Sequence, residues 1–482
     1  MKRLYELTVK EALELLESKE ITARELVQSC LDRIEEMEPT IHAFLLIIKE
    51  EALKAADQID MKRTKGEPLG KLAGIPYSLK DVYSTKGYTT TAGSKMLEGY
   101  IAPYNATVVE KLAKEDAILI GKTNCDPFGF GSSTENSAYG VTRNPLDTDR
   151  VPGGSSGGSG AAVAYGGGLF SIGEDTGGSI RCPAAFCGIV GLKPTYGRVS
   201  RYGSIAYASS YDTVGPMTKD IYDNALILSV IAGKDTRDAT TSAEKVKPYH
   251  QALDLSLKGR KVGVVKEYLG DGVDEEVKKA INQAIEVYKS LGCEIVEVSL
   301  PYTEYAIAAY YVIGISEASS NLARMDGIRF GHEANVDDWK DKIIKTRGEG
   351  FGPEEKRRVM VGTYALSTGY ADKYYHKAQQ VRAILKDDIL KAFKKVDILL
   401  TPTMPVLPPK IGENTDDPLK MWLMDAFTVT INPVGVPALA LPAGNTKDGL
   451  SVGMQLIGPH FKEDTLYNFA YLYEKSIKDT LN

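Results

Sequence analysis

Between Val151 and Pro194 the chain reads VPGGSSGGSGAAVAYGGGLFSIGEDTGGSIRCPAAFCGIVGLKP. Two glycine–serine clusters lie in it, Gly153 to Gly160 and Asp175 to Arg181. Glycine accepts positive φ and lets the backbone approach other groups closely. Successive N–H groups in such a loop form an anion-binding concavity. A serine hydroxyl inside that concavity has what acyl transfer needs, a nucleophile beside donors for an oxyanion. A flexible linker is the first competing reading, but the flanks AAVAY, LFSIG and AAFCGIVGL are apolar. A phosphate loop is the second. It would end in Gly-Lys-Ser/Thr, and no lysine lies between Val151 and Gly191. On composition and flanks, a buried catalytic loop and a structural glycine-rich turn both stay open.

The rest of the composition narrows the chemistry. The five histidines (His42, His250, His332, His376, His460) are scattered, so a hydrolase built here would not take its base from histidine. The five cysteines (Cys30, Cys125, Cys182, Cys187, Cys293) are odd in number and lack metal-site spacing, which reads as reduced thiols in the cytoplasm. Net charge is −6 and the cations are dispersed, so no basic stripe suggests that this chain alone grips nucleic acid. The N-terminal MKRLYELTVKEALELL reads as an acid-rich helix rather than a signal peptide. No apolar run is long enough for a membrane span.

The elements that must position the glycine loops alternate. Thr8–Glu11 and Thr22–Glu25 are capping boxes that open helices, and the first 65 residues read as a helical layer. In KLAGIPYSLKD, Ile75, Tyr77 and Leu79 alternate as a strand ending at Lys80. Residues 106–115 read as a helix, 117–121 as a strand, and 126–144 as an irregular pocket wall. Residues 169–173 read as a buried strand leading into the second glycine cluster. Residues 261–300 give strand, helix, strand, with Asp274 at the N-cap and Gly292 at the C-cap. Residues 304–395 are largely helical, 397–401 is a buried strand, and 438–442 with 451–457 form a closing hairpin. The pattern predicts an α/β fold with a large mixed, mostly parallel β-sheet covered by helices on both faces.

KLAGIPYSLKD, VPGGSSGGSGAA and GEDTGGSIRCPAAFCGIVGLKPT together resemble the amidase signature family over nearly the whole chain. Within that family KPTYGRVSRYG, YYVIGISEASSNLARMDGIRFG, TRGEGFGPEEKRR and DDPLKMWLMDAF are most similar to the glutamine-hydrolysing subunits of tRNA-dependent amidotransferases. The resemblance implies one amidase domain, 1–482, with an N-terminal helical layer (1–65), a signature core (66–220) and the remainder of the sheet with a helical substrate region (221–482). It implies a Ser–cisSer–Lys triad with Ser179 as nucleophile, Ser155 as bridging serine and Lys80 as base, and a cis bond between Gly154 and Ser155. Backbone N–H groups of Thr176, Gly177, Gly178 and Ser179 would form the oxyanion hole. Arg358 would hold the α-carboxylate of glutamine, Asp425 its α-amino group, and Tyr310 would line the pocket.

An ammonium accepts no proton, so Lys80 must act as the neutral amine. Burial among apolar residues would disfavour its charged form. Hydrolysis should then rise with pH as the lysine deprotonates. The resemblance further implies partners, the amidotransferase B and C subunits, which would carry ATP, Mg and the main tRNA contacts. This chain itself would have no cofactor, no metal and no membrane contact. Two departures stand out: Cys182 where the related subunits carry glutamine, and Asp126-Pro-Phe-Gly-Phe130 where they carry Asp-Glu-Phe-Ala-Met. A stand-alone amidase for another small amide is the alternative activity. A catalytically silent protein is disfavoured because all three triad residues are present.

Overall fold

The computed structural model describes residues 2–251 and 253–481. Met1, Ala252 and Asn482, inside the domain boundaries expected above, lie outside the described residues. Eleven strands form one sheet: β1 (Phe44–Ile47), β2 (Pro76–Lys80), β3 (Ile118–Thr123), β4 (Phe170–Asp175), β5 (Val190–Lys193), β6 (Thr213–Thr218), β7 (Lys261–Val265), β8 (Glu294–Val298), β9 (Ile398–Pro402), β10 (Ala438–Asn445) and β11 (Ser451–Ile457). Their spatial order is β1-β3-β2-β4-β6-β5-β10-β11-β9-β7-β8. Every residue of β2, β4, β5, β6, β9 and β11 is buried, so both faces of the central sheet are covered.

The α/β class and the mixed sheet are as expected, but parallel pairing does not dominate. It is confined to two blocks, β3-β2-β4 and β9-β7-β8. The six other ladders are antiparallel: β1/β3, β4/β6, β5/β6, β5/β10, β10/β11 and β9/β11. The reason is connectivity. The closing hairpin β10–β11 inserts between the two blocks, and β5 and β6 run antiparallel to each other beside it.

The N-terminal layer holds α1 (Val9–Ser18), α2 (Ala23–Ile41) and α3 (Lys49–Lys65). Both capping boxes form: Glu11 N–H donates to Thr8 Oγ1 at 3.1 Å, and Glu25 N–H donates to Thr22 Oγ1 at 3.1 Å. Two details differ from expectation. The N-terminal helix is split, with a single 3₁₀ turn at Leu4–Glu6 before α1. The layer also contributes the edge strand β1: His42 turns left-handed (φ 56°) and ends α2, and Glu38 takes the N–H groups of Ala43 and Phe44, both at 3.0 Å.

Three further helices lead into the site: α4 (Thr107–Lys114), α5 (Gly157–Tyr165) and α6 (Arg181–Cys187). After α7 (Ile221–Ile231), α8 (Glu275–Ser290) packs on β10 and β11. Asp274 stands at the N-cap of α8 as expected, but its carboxylate accepts Leu407 N–H at 3.0 Å instead of capping the helix. Gly292 lies one position past the cap residue, in the left-handed region (φ +85°). The helical region expected from 304 to 395 holds α9 (Ala306–Asn321), α10 (Trp339–Gly350), α11 (Pro353–Leu366) and α12 (Lys377–Ala392).

The start of α2 is held from α3: Asp60 accepts the N–H groups of Ala23 at 2.8 Å and Arg24 at 3.0 Å. These are helix-terminal donors with no intrahelical partner. Asp60→Ala should therefore lower stability by about 1 kcal/mol. Urea unfolding measures this, and hydrogen exchange should quicken at Ala23 and Arg24 before it does in the central strands.

Candidate active site

Parallel pairing of β2 with β4, Leu79 opposite Ile172, brings the ends of the two strands together. Lys80 closes β2, and Glu174 and Asp175 close β4. Lys80 is fully buried, and its Nζ donates to Ser155 Oγ at 2.8 Å, to Glu174 Oε2 at 2.9 Å and to the Glu174 carbonyl at 3.3 Å. Ser155 follows a cis peptide bond from Gly154, and the first glycine cluster then enters α5. Ser156 N–H donates to the Ser179 carbonyl at 3.1 Å, which fastens the first cluster to the second. The structure thus joins Lys80 to Ser155 directly. Ser179 is held beside them by its backbone, and its hydroxyl bonds no described residue.

Lys80 does not sit among apolar groups, as the sequence suggested. A carboxylate faces it, and Glu174 was not among the expected residues. The signal was legible in part: FSIGED sets two acids at the end of an otherwise uncharged strand.

The second cluster is held by the residues on either side of it. Asp175 and Arg181 are fully buried. Arg181 Nε donates to Asp175 Oδ2 and its Nη2 to Oδ1, both at 3.0 Å. The same carboxylate accepts the N–H groups of Gly178 (2.9 Å) and Ile180 (3.1 Å). Burial alone would raise the Asp175 pKa, but Arg181 and Asn432 hold it well below the usual carboxylate range. Arg181 reaches on to Gln455 Oε1 at 3.0 Å, Asn432 Oδ1 at 2.7 Å and the Thr428 carbonyl at 3.1 Å.

This corrects one expected role. The Gly178 N–H is committed to Asp175 and is not free for an oxyanion. The N–H groups of Thr176, Gly177 and Ser179 have no acceptor among the described residues. Gly178 instead supplies conformation: its φ is +131°, and a Cβ there would collide with Thr428. A Cβ on Gly177 would collide with the Tyr310 hydroxyl, which places buried Tyr310 directly over the loop.

The expected glutamine contacts lie in one aromatic wall. Arg358, on α11, is buried, whereas its neighbour Arg357 is half-exposed. Arg358 Nε donates to Glu354 Oε1 at 2.7 Å and Nη1 to the Tyr207 hydroxyl at 2.8 Å, while Nη2 bonds no described residue. The rings of Phe130, Tyr311 and Tyr207 surround the guanidinium at 5.2, 5.5 and 5.6 Å. Asp425 Oδ2 accepts from Ser132 Oγ at 2.6 Å and from the Tyr311 hydroxyl at 2.9 Å. Burial pushes Asp425 up to about 6, with those two hydroxyls and Arg358 opposing the rise. Tyr311 therefore touches both the cation and the anion. Sequence reasoning missed it, together with Ser132 and Tyr207, although all three lie beside residues it singled out. A cavity of about 320 Å³ opens beside Arg358 between Glu354, Trp422 and Met421. Ser179 and Asp425 are not among its lining residues.

Both departures now have a place. Phe130 supplies the ring beside Arg358, and Cys182 is buried behind Ser132, its Sγ 3.6 Å from the Ser132 carbonyl. All five cysteines are buried and unpaired. Among the described residues no group of three His, Cys, Asp or Glu side chains could hold a metal ion, and no helix is long and apolar enough to cross a membrane.

A cis serine bonded to a buried lysine, next to a second serine on a glycine loop, defines a class of amide-bond hydrolases. The amidase family model matches residues 25–467, and the chain belongs to the amidase signature family. It is 52% identical over 476 residues to the A subunit of the glutamyl-tRNA(Gln) amidotransferase from Caldanaerobacter subterraneus, covering 98% of this chain and 97% of that one. Identity to the corresponding protein of Clostridium botulinum is 50% over 475 residues, 98% of each chain. Among solved structures, the glutamyl-tRNA(Gln) amidotransferase A chain of Thermotoga maritima aligns with a TM-score of 0.81 at 38% identity, over 98% of this chain and 95% of that one. The peptide amidase of Stenotrophomonas maltophilia aligns with a TM-score of 0.82 at 29% identity, over 98% and 97%.

Removing one partner of a buried ion pair leaves the other charge uncompensated. Arg181→Met should therefore destabilise the protein by about 3–5 kcal/mol. Chemical denaturation measures the loss. A change below about 1 kcal/mol, the value of an exposed pair, would show that Arg181 does not hold the loop.

Proposed function

We propose that this chain, as a single amidase domain, hydrolyses glutamine and supplies the ammonia to partner subunits that amidate misacylated tRNA with ATP. The partners would be the amidotransferase B and C subunits, in the cytoplasm, with Glu-tRNA(Gln), Asp-tRNA(Asn) or both as acceptors. ATP, Mg and the principal tRNA contacts would belong to the partners. Identity of 50–52% over nearly the whole length of A subunits of glutamyl-tRNA(Gln) amidotransferases supports this reading. The observation that carries it over a general amidase is the buried pair of Arg358 and Asp425, joined through Tyr311. Opposite charges fixed in one wall match the carboxylate and ammonium of a free amino acid.

In this mechanism neutral Lys80 draws the proton of Ser155, and Ser155 draws that of Ser179. Ser179 Oγ bonds to the side-chain amide carbon of glutamine, and the carbonyl electron pair moves to oxygen. The N–H groups of Thr176, Gly177 and Ser179 stabilise that oxyanion. The proton then returns through Ser155 to the amide nitrogen, the C–N bond breaks, and ammonia leaves a glutamyl ester on Ser179. Water, activated by the same base, hydrolyses the ester.

Ser179→Ala should abolish glutamine hydrolysis while leaving the fold intact, because it removes the proposed nucleophile and no hydrogen bond to a described residue. Mass spectrometry of an acid-quenched wild-type reaction should find the glutamyl adduct on Ser179. An adduct on Ser155 or Cys182 would overturn the assignment.

Asp425→Asn separates glutamine from simpler amides. Loss of one side of a buried charged contact costs about 2–5 kcal/mol. kcat/KM should fall accordingly for glutamine and far less for an aliphatic amide without an α-amino group. Ammonium as donor in the assembled enzyme should be unaffected. Equal losses on glutamine and the simple amide would favour a stand-alone amidase. Because the free-enzyme carboxyl is raised to about 6, its anion is available above that pH. Wild-type kcat/KM for glutamine should drop as pH falls through this value, and Asp425→Asn should remove that inflection.

A further inference from the structure

A lysine ammonium has three N–H bonds, and Lys80 has three acceptors: Ser155 Oγ, the Glu174 carbonyl and Glu174 Oε2. Drawn this way, Lys80 donates to Ser155 and cannot accept from it. Of the three acceptors only the carboxylate can take a proton away. Behind it, Glu174 Oε1 lies 2.5 Å from Thr176 Oγ1, and the same hydroxyl lies 2.7 Å from Asp212 Oδ1. A hydroxyl carries one hydrogen. Held between two carboxyl oxygens, it donates to one and accepts from the other, so one of the two carboxyls is protonated. Burial, with the charge of Glu174 beside it, pushes Asp212 up to about 8, which puts that proton on Asp212 at neutral pH.

Lys80, Glu174 and Asp212 then sum to no net charge, as one ammonium, one carboxylate and one acid. Moving a proton from Lys80 to Glu174 leaves an amine and two acids, still neutral, so no charge has to be created in a dry interior. The other ionisable groups facing this cluster are Tyr83, Cys125, Asp126, Tyr196 and Arg201. Tyr83 donates its hydroxyl to the Gly173 carbonyl at 2.7 Å, and burial keeps Cys125 protonated. Asp126 is occupied by the N–H groups of Thr134 and Asn136. Arg201 pairs with Asp238 at 3.8 Å, and Tyr196 donates to the Ser209 carbonyl at 2.8 Å. None of these side chains bonds the side chain of Lys80, Glu174 or Asp212. Gly129 borders the same spot. A Cβ there would lie 3.4 Å from Glu174 Oε2 and 3.6 Å from Ser155 Oγ, on a residue whose φ is +84°.

Resting on the reading of Lys80 as the base, we propose that Glu174 takes the Lys80 proton by direct transfer from nitrogen to oxygen, so that the base becomes neutral without releasing a proton to solvent. One Nζ–H bond breaks, its electron pair stays on nitrogen, and an O–H bond forms at Glu174 Oε2. Rotation about Cε–Nζ then turns an N–H back to Glu174 and the freed pair to Ser155, whose proton it accepts as Ser179 attacks. That proton returns through Ser155 to the leaving nitrogen, and the one on Glu174 is not consumed. Glu174 is a positioning residue for the base, with Thr176 and Asp212 fixing the protonation of its far oxygen.

The two forms of the Lys80–Glu174 pair are isomers, so their ratio does not depend on pH. A lysine that must deprotonate to solvent gives a rate that climbs with pH. The test is kcat at saturating glutamine between pH 6.5 and 7.5, where Asp212 keeps its proton, for the full chain alone and with its partner subunits, wild type against Glu174→Gln. The wild type should vary less than about threefold, whereas Glu174→Gln should be at least about tenfold slower at pH 7 and rise by up to about tenfold per pH unit. Its KM should stay within about threefold, since Glu174 bonds none of Arg358, Asp425 and Tyr310, the residues proposed to hold glutamine in the ground state. Parallel profiles, or a variant faster than the wild type at pH 7, would overturn the proposal. If Glu174→Gln does not fold, the wild-type profile decides alone, and a rise of about tenfold per pH unit removes the idea. Lys80→Ala and Ser179→Ala run alongside. Activity surviving in them sinks the triad itself, whereas its loss together with parallel profiles sinks only the role of Glu174.

Discussion

The buried ion pair between Asp175 and Arg181 is the constraint on which the site depends. Both charges lie out of water, where an unpaired ion is costly. Their geometry repays that cost only because the remaining donors and acceptors are used. Asp175 takes two N–H groups of the glycine loop as well as the guanidinium, and Arg181 continues to Thr428, Asn432 and Gln455. The pair thereby ties the end of β4, the start of α6, the segment carrying Asp425 and strand β11 into one unit. The loop between Asp175 and Arg181 can then be almost side-chain-free and still hold one shape. Its open backbone donors keep their places because its ends are fixed.

A second buried arrangement is set against the first. Lys80 comes from the neighbouring parallel strand, and its register with β4 places it beside Glu174 rather than Asp175. Consecutive carboxylates of one strand therefore do different work, since side chains on a strand alternate between faces. Asp175 is fixed as an anion by a guanidinium. Glu174 faces an ammonium on one side and, through Thr176, another carboxyl on the other. The protonation states in this network are linked, and the base cannot be considered without its neighbours.

The wall around Arg358 shows how a cation is kept dry and still available. Three aromatic rings and Glu354 hold the guanidinium while one nitrogen bonds no described residue. Asp425 is treated similarly, with two hydroxyls in place of a counter-ion. Tyr311 links the two and stacks on Trp422 at 4.3 Å, so the spacing of the charges is set by rigid rings rather than flexible chains. Phe130, one of the departures from the related chains, is a component of this wall rather than a defect in it.

Much was legible in the chain itself. Alternation and capping chemistry located the strand ending at Lys80, the two capping boxes, the strand–helix–strand unit after 261 and the closing hairpin, because these signals are local. The linked glycine–serine motifs pointed to the amidase family, and Lys80 and Ser155 do meet. What the chain did not disclose depends on pairing between distant segments. The antiparallel majority of the sheet follows from where the hairpin inserts, which no local pattern encodes. Edge strand β1 exists because β3 offers it a partner. Gly178 looked like a free oxyanion donor until Asp175 folded back onto its N–H. Lys80 looked like a base among apolar residues until strand register set a carboxylate 2.9 Å away. Residue types and spacing determined which chemistry was available. Tertiary structure decided which donors were already spent and which charge faced which, because hydrogen bonds and ion pairs are fixed by distances in space and not along the chain.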